Sequence, residues 1–414
     1  MRSGLVLLAA LTLYLSISYR SAHIVPDDFI DTRRLTLDID PHGWKPLDTD
    51  DWCQLAEQAQ EKGELNLDEI YTLQALAANI SSGRAIAKLA HIRLKQGNQA
   101  QAERLAHLAT RIVTAQDETH LPLALFWGKI GKYPEIVKEW NILFTRDSLL
   151  HAGLFPHMRA IAGSPSTAHL IESFAMNPPS WWVSFFNYLA TDQQTSPKLL
   201  EHLYTLRLRS PTPLYEGEMK QYINRLLNDK HWTNAYDVWL TSLPKDATAY
   251  KGLIYDGGFE GKWHNTGFDW FFVPHAQLNI KQDMTFGMDG HRALKIRFNP
   301  SKHIKFQHVW QNLLLKPANY ELSLRFRTDH FRTNKGLQWR MRCSEDDRVI
   351  AESPVLQESN EWSTLTTPVE VPPVNCETQV LRLEAASSYT HDQVFKGDVW
   401  FDTIRIRPLS NDDN

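Results

Sequence analysis

Cysteine is scarce. The 414 residues carry three, Cys53, Cys343 and Cys376, too few for disulfides to define the fold. Neither sign of charge dominates: 44 Lys and Arg face 48 Asp and Glu, for a formal net charge of -4. No broad basic field therefore exists to collect phosphates along a nucleic acid, and nucleic-acid binding is excluded. Catalytic spacing is also lacking. The chain has no His-Glu-x-x-His, no Gly-x-Ser-x-Gly, no phosphate-cradling glycine loop and no paired-cysteine metal motif. The facing carboxylates of a glycosidase would leave no local signature. The 17 His and 48 acidic residues, however, form no recognisable constellation, and no enzyme is expected.

A long apolar run stands at the N-terminus. Met1-Arg2-Ser3 precedes about sixteen residues, Gly4 to Tyr19, and Arg20 follows. A basic start, an apolar stretch and a return to polarity read as an export signal, slightly short of the roughly twenty residues that span a bilayer comfortably. Ser16-Ile17-Ser18 offers small residues for cleavage, but Arg20 follows closely and no Ala-x-Ala site is present. Residues 1–20 are expected to remain as an inner-membrane anchor with the bulk in the periplasm; the alternative is a cleaved signal peptide and secretion. Residues 21–48 read as a linker. Export places the remainder where disulfides persist. Cys343 and Cys376 lie near positions where neighbouring strands would begin or end, and are candidates for a bridge adding roughly 3 to 4 kcal/mol. The alternative is a pair of small buried hydrophobes. Cys53, alone in a helical segment, reads as buried.

Residues 49–245 show apolar positions at three- and four-residue spacing, broken by Gly, Asn-Gln and Ser-Pro punctuation. Ala56, Ala90 and Ala124 recur 34 residues apart, as do Gly63, Gly97 and Gly131. In the middle copy Ala90, Gly97, Ala102 and Ala109 are the small residues that let paired helices approach closely. This period and spacing resemble the tetratricopeptide repeat, which implies a helical solenoid whose groove holds a peptide or protein partner. Asp68 and Ile136 stand where Ala102 stands, so the flanking copies are weaker. A fourth hairpin near Tyr222 to Pro244 lacks the glycine. Trp181-Trp182 with Phe185-Phe186 is a dense aromatic cluster that reads as core.

Near Lys245 the pattern changes. Residues 250–410, followed by a tail at 411–414, alternate with period two: Tyr320, Leu322, Leu324 and Phe326 against Glu321, Ser323, Arg325 and Arg327; Leu337, Trp339, Met341 and Cys343 against Gln338, Arg340 and Arg342. Half-buried antiparallel strands of this kind predict a two-sheet sandwich. The predicted fold class is therefore multidomain, α then β.

Asp256-Gly257-Gly258-Phe259-Glu260, then Gly267-Phe268-Asp269-Trp270, resembles the opening of the galactose-binding-like jelly roll of carbohydrate-binding module families 4 and 9. Gly290 to Ile296, Gln307 to Gln311, Lys316 to Leu322 and Gly397 to Asp402 are similar to its later strands. Ala318-Asn319 departs from the pattern where a glycine commonly turns. The resemblance implies glycan binding through aromatic platforms, for which the loop residues Trp263, Trp270 and Phe271 are the candidates, and polar partners, for which Arg325, Arg327, Gln338, Arg340 and Arg382 would share one exposed face. It also implies a structural calcium ion between Glu260 and Asp402, with salt-bridged or capping roles as the alternative. Together the two resemblances imply a non-catalytic accessory protein of bacterial surface-polysaccharide assembly or export. An interaction scaffold whose jelly roll binds no sugar is the rival.

Overall fold

The structure, a computed structural model, describes residues 47–112, 117–146, 148–299, 303–356 and 361–409. The expected anchor and most of the linker lie outside these residues. The chain divides into two compact units, one ending at Tyr215 and the other beginning at Glu216.

In the first unit the 34-residue spacing reappears as helix pairs. The first helices are α1 (Thr49–Glu61), α3 (Gly83–Lys95) and α5 (Asp117–Lys129), and the second helices are α2 (Leu65–Ala78), α4 (Gln99–Ile112) and α6 (Tyr133–Arg146). Asp48 opens the series with a reciprocal capping box: its side chain accepts from the Asp50 and Asp51 amides, and Asp51 accepts the Asp48 N–H. Gly63, Gly97 and Gly131 turn each pair at φ +77°, +82° and +71°, and a Cβ at any of them would meet nothing within 4 Å. Left-handed backbone, not crowding, is therefore what requires glycine there. Ala56, Ala75, Ala90, Ala102 and Ala109 are fully buried in the seams. Where the first copy has Asp68 instead of alanine, that carboxylate is buried and pairs with Lys88 at 3.3 Å.

The period then stops, and α7 (His151–Ala162), α8 (Ala168–Met176), α9 (Trp182–Thr191) and α10 (Pro197–Arg209) follow. The aromatic cluster is core, as its helical spacing implied. Trp182, Phe185 and Phe186 are fully buried, and Trp181 donates its indole N–H to Asn141 Oδ1 at 2.9 Å.

The second unit begins with a helix pair, α11 (Glu216–Asn228) and α12 (Trp232–Ser242). The α-helices end before Lys245 and strands follow, but the compact unit reaches back to Glu216. The reason is aromatic packing: Trp239 on α12 meets Tyr255 at 5.1 Å and Phe268 at 5.7 Å, both from the opening of the sandwich. This pair turns as the earlier ones do, with His231 N–H on Leu226 O as Asn98 N–H is on Arg93 O, yet Lys230 holds φ 62° in place of glycine. A side chain in that region costs about 1 to 2 kcal/mol, and glycine loses about 0.5 to 1 kcal/mol more entropy on folding. Lys230→Gly is thus expected to stabilise the unit by up to about 1 kcal/mol in urea unfolding.

Among the described residues ten strands build two antiparallel sheets: β1 (Trp270–Phe272), β2 (Leu278–Asp283), β3 (Ala293–Phe298), β4 (Val309–Leu313), β5 (Ala318–Thr333), β6 (Leu337–Cys343), β7 (Val349–Glu352), β8 (Ser363–Val371), β9 (Gln379–Ala385) and β10 (Phe395–Pro408). One sheet has the order β1-β4-β9-β6-β7 and the other β2-β3-β10-β5-β8. Inward residues of both, among them Trp270, Leu294, Leu324, Trp339, Leu381 and Phe401, form one core. Cys343, ending β6, is joined to Cys376 ahead of β9, with Cα atoms 4.8 Å apart; Cys53 is free and buried. Among the described residues no helix is long and apolar enough to cross a membrane.

Candidate functional site

The strand alternation decides which aromatic side chains are available. In β1, Trp270 points inward, packing between Phe259 at 5.1 Å and Trp339 at 5.8 Å. It is 0 % exposed, and its indole N–H donates to the Asp256 carbonyl at 3.1 Å. The expectation that Trp270 offers a platform is therefore corrected: it closes the core. Trp263 lies half-buried against Phe272 at 3.7 Å, leaving little free ring. Phe271, the next residue outward, reaches the outer face of the sheet and stacks on Trp310 of β4, with centroids 5.1 Å apart and planes 1° from parallel.

The arginines divide. Arg325 and Arg327 lie on β5 and Gln338 and Arg340 on β6, and these consecutive strands belong to opposite sheets. The single exposed face expected for all of them is in fact two faces on opposite sides of the sandwich. Alternation tells inside from outside but not which sheet a strand joins. Arg325 is also committed: it pairs with Asp289 at 2.7 Å, donates to Gly287 O at 2.9 Å and lies over the Trp362 ring at 5.0 Å. With Arg327, which donates to Thr285 Oγ1, it fastens the β2–β3 loop.

Across the other sheet one outward row can be followed through the strand register: Phe271 opposite Trp310, Trp310 opposite Arg382, Arg382 opposite Arg340, and Arg340 opposite Glu352. Beside it Glu384 accepts from Arg382 Nε at 2.6 Å, Arg342 Nε at 3.1 Å and Arg340 Nη1 at 3.0 Å. Burial works against the charge of Glu384, but the bonds from Arg342, Arg340 and Arg382 prevail and hold its pKa at about 2. A cleft of about 320 Å³ opens at the aromatic end, lined by Val273, Gln307, His308, Trp310, Val380 and Arg382. Burial, with His275 close by, holds the His308 imidazole below its usual pKa, so a neutral ring faces the cleft at neutral pH. A flat indole beside a cation and neutral hydrogen-bonding groups can stack on a sugar ring and hold its hydroxyls.

Trp310 and Arg382 carry this site, and the sequence held a signal for the first: Val309, Gln311 and Leu313 alternate inward, which leaves Trp310 outward.

Glu260 and Asp402 do come together, flanking Gly258, whose Cβ would lie 3.7 Å from Glu260 Cγ and 4.0 Å from Asp402 Oδ1. Three of their four carboxylate oxygens accept donors. Glu260 Oε1 accepts the His291 and Arg292 amides at 2.7 and 3.1 Å. Asp402 Oδ2 accepts the Asp289 amide at 2.7 Å, and its Oδ1 accepts the Thr403 hydroxyl at 3.2 Å. A calcium ion here would share these oxygens with the N–H and O–H groups that point at them. Among the described residues no group of three or more His, Cys, Asp or Glu is arranged to hold a metal ion. The hydrogen bonds of Glu260 and Asp402 latch the opening loop to the closing strand, helped by Gly257, where a Cβ would fall 1.9 Å from Ile404 O.

No protein-family model and no curated protein matches this chain. Among solved structures it is similar to a family 4 carbohydrate-binding module, at 14% identity over 38% of this chain and 99% of that one, with a TM-score of 0.29. It is similar also to the CBM22-1 xylan-binding domain from Paenibacillus barcinonensis Xyn10C, at 12% identity over 37% and 92%, TM-score 0.28. A third is the C-terminal family 22 carbohydrate-binding module of Clostridium thermocellum Xyn10B, at 14% identity over 38% and 94%, TM-score 0.26. The C-terminal sandwich thus resembles carbohydrate-binding modules, a likeness that at these scores carries over neither ligand nor site.

Proposed function

We propose that the sandwich binds a polysaccharide, without catalysing a reaction, on the outer face of the β1-β4-β9-β6-β7 sheet. The observation that carries this is the Phe271–Trp310 stack standing beside Arg382 at the mouth of a cleft. Stacking of one ring contributes about 0.5 to 1.5 kcal/mol, so single-site affinity is modest and several contacts or several copies are needed for firm retention. In affinity gels containing a panel of glycans, the full chain is expected to be retarded by at least one, and Trp310→Ala is expected to lose about tenfold in affinity, the equivalent of 1.4 kcal/mol. Retardation unchanged by Trp310→Ala would refute this site.

In this reading the protein is an accessory component of bacterial surface or extracellular polysaccharide assembly or export, held at the inner membrane by its N-terminal segment with the bulk in the periplasm. The helical unit, read as a tetratricopeptide-like solenoid, holds a protein partner. Its helix pairs at 34-residue intervals support that role, as do Leu67, Ile70 and Leu73, apolar and exposed on α2.

A further inference from the structure

The three arginines around Glu384 are not equivalent. Arg340 also bonds Glu352 and the Ala385 and Ala386 carbonyls. Arg342 also reaches Asp347. Arg382 uses only Nε, on Glu384; its Nη1 and Nη2 bond no described residue. Its side chain is 26% exposed and lines the cleft directly across from Trp310.

Two features keep that guanidinium open toward the cleft. It does not lie over the indole, for the cation–π contacts among the described residues join other pairs. Nor are its outer N–H groups taken up: Glu384 engages only Nε of Arg382, while Glu352 and Asp347 answer Arg340 and Arg342. Two parallel N–H donors on a planar cation match a carboxylate in bidentate geometry, whereas a lone hydroxyl would use only one of them.

We propose that the cleft selects an acidic glycan, a polymer bearing uronate groups, with one sugar ring against Trp310 and its carboxylate on Arg382 Nη1 and Nη2. The proposal rests on the glycan reading of the same face and adds the class of ligand.

The test compares polygalacturonate, the same polymer with its carboxyls reduced to alcohols, and xylan, each against the full chain by affinity electrophoresis and calorimetry at about 0.15 M salt. Polygalacturonate is expected to bind at least about tenfold more tightly than its reduced form, the scale of one charge-assisted contact. Arg382→Gln should abolish that preference. Arg382→Lys, which keeps the charge and leaves the fork out, should lose most of it with the melting temperature retained. Arg297→Gln, on the opposite sheet, should change nothing, and Trp310→Ala should weaken every polymer. Equal binding of the acidic and reduced polymers, or a preference that survives both Arg382 variants, would overturn the acidic-glycan assignment and leave the glycan site standing. An equal loss in Arg297→Gln would replace it with diffuse attraction of a polyanion. Failure of all three polymers and of the wider panel would remove the glycan site itself.

Discussion

Trp270→Ala is expected to destabilise the second unit by about 3 to 5 kcal/mol, the scale of removing a large aromatic ring from a packed core. The ring is wholly buried between Phe259 and Trp339, and its N–H satisfies the Asp256 carbonyl. The substitution thus combines a cavity with the loss of one of two donors to that carbonyl, which keeps the Phe259 N–H. Urea unfolding followed by near-ultraviolet circular dichroism measures the loss. Trp310→Ala, on the outer face, should cost far less in the same experiment while reducing glycan retention. A Trp270→Ala protein that unfolds at the wild-type midpoint would show that the ring is not part of the core.

A second large effect is expected on changing pH. Burial raises Asp256 to about 7, although the Glu260 and Gly261 amides hydrogen-bond its charged form; burial likewise raises Asp269 and Asp402 to about 6. A carboxyl whose folded pKa lies above its unfolded value contributes fully below the unfolded value, near 3.9, and loses that contribution as pH rises through the folded value. Glu384 acts in the opposite sense. Held at about 2, it contributes above its unfolded value and loses that contribution as pH falls through 2. The second unit should therefore be most stable near pH 4 to 5 and should lose several degrees of melting temperature by pH 7.5. For Asp256 the rise from 3.8 to about 7 corresponds to an upper bound on the order of 4 kcal/mol. Asp256→Asn should flatten the alkaline side of the profile. A melting temperature constant from pH 5 to 7.5 in the wild-type protein would show that these carboxyls are not desolvated as placed.

The parts that were legible in the sequence are those with a long period. The three helix pairs announce themselves through Gly63, Gly97 and Gly131, because only a left-handed turn residue needs to be glycine at those points. Tyr320 to Phe326 shows its inward face because β5 runs for 16 residues, long enough for alternation to be unambiguous. Trp270 and Phe271 were not separable in the same way. Their strand has 3 residues, too few for a period, so which of two adjacent aromatic rings enters the core is settled by contacts with Phe259 and Trp310, far off in sequence. The arginines failed for a different reason: β5 pairs with β8 and β10, and β6 with β9 as well as its neighbour β7, and no local pattern encodes which sheet each strand joins. The hairpin at Glu216–Ser242 looks like a continuation of the helical series in its turn, yet Trp239 commits it to the sandwich.

The position of β10 in its sheet bears on how the protein is made. It leaves the ribosome after β1 to β9, and it lies between β3 and β5, pairing with both. Until residues 395–408 have been synthesised, β3 and β5 each present an unpaired edge, and unpaired edges invite association with other chains. A chain halted shortly before Phe395 would thus lose the middle of a sheet, not its margin. Such a fragment would be a substrate for chaperones and proteases, and these fourteen residues decide whether that sheet closes.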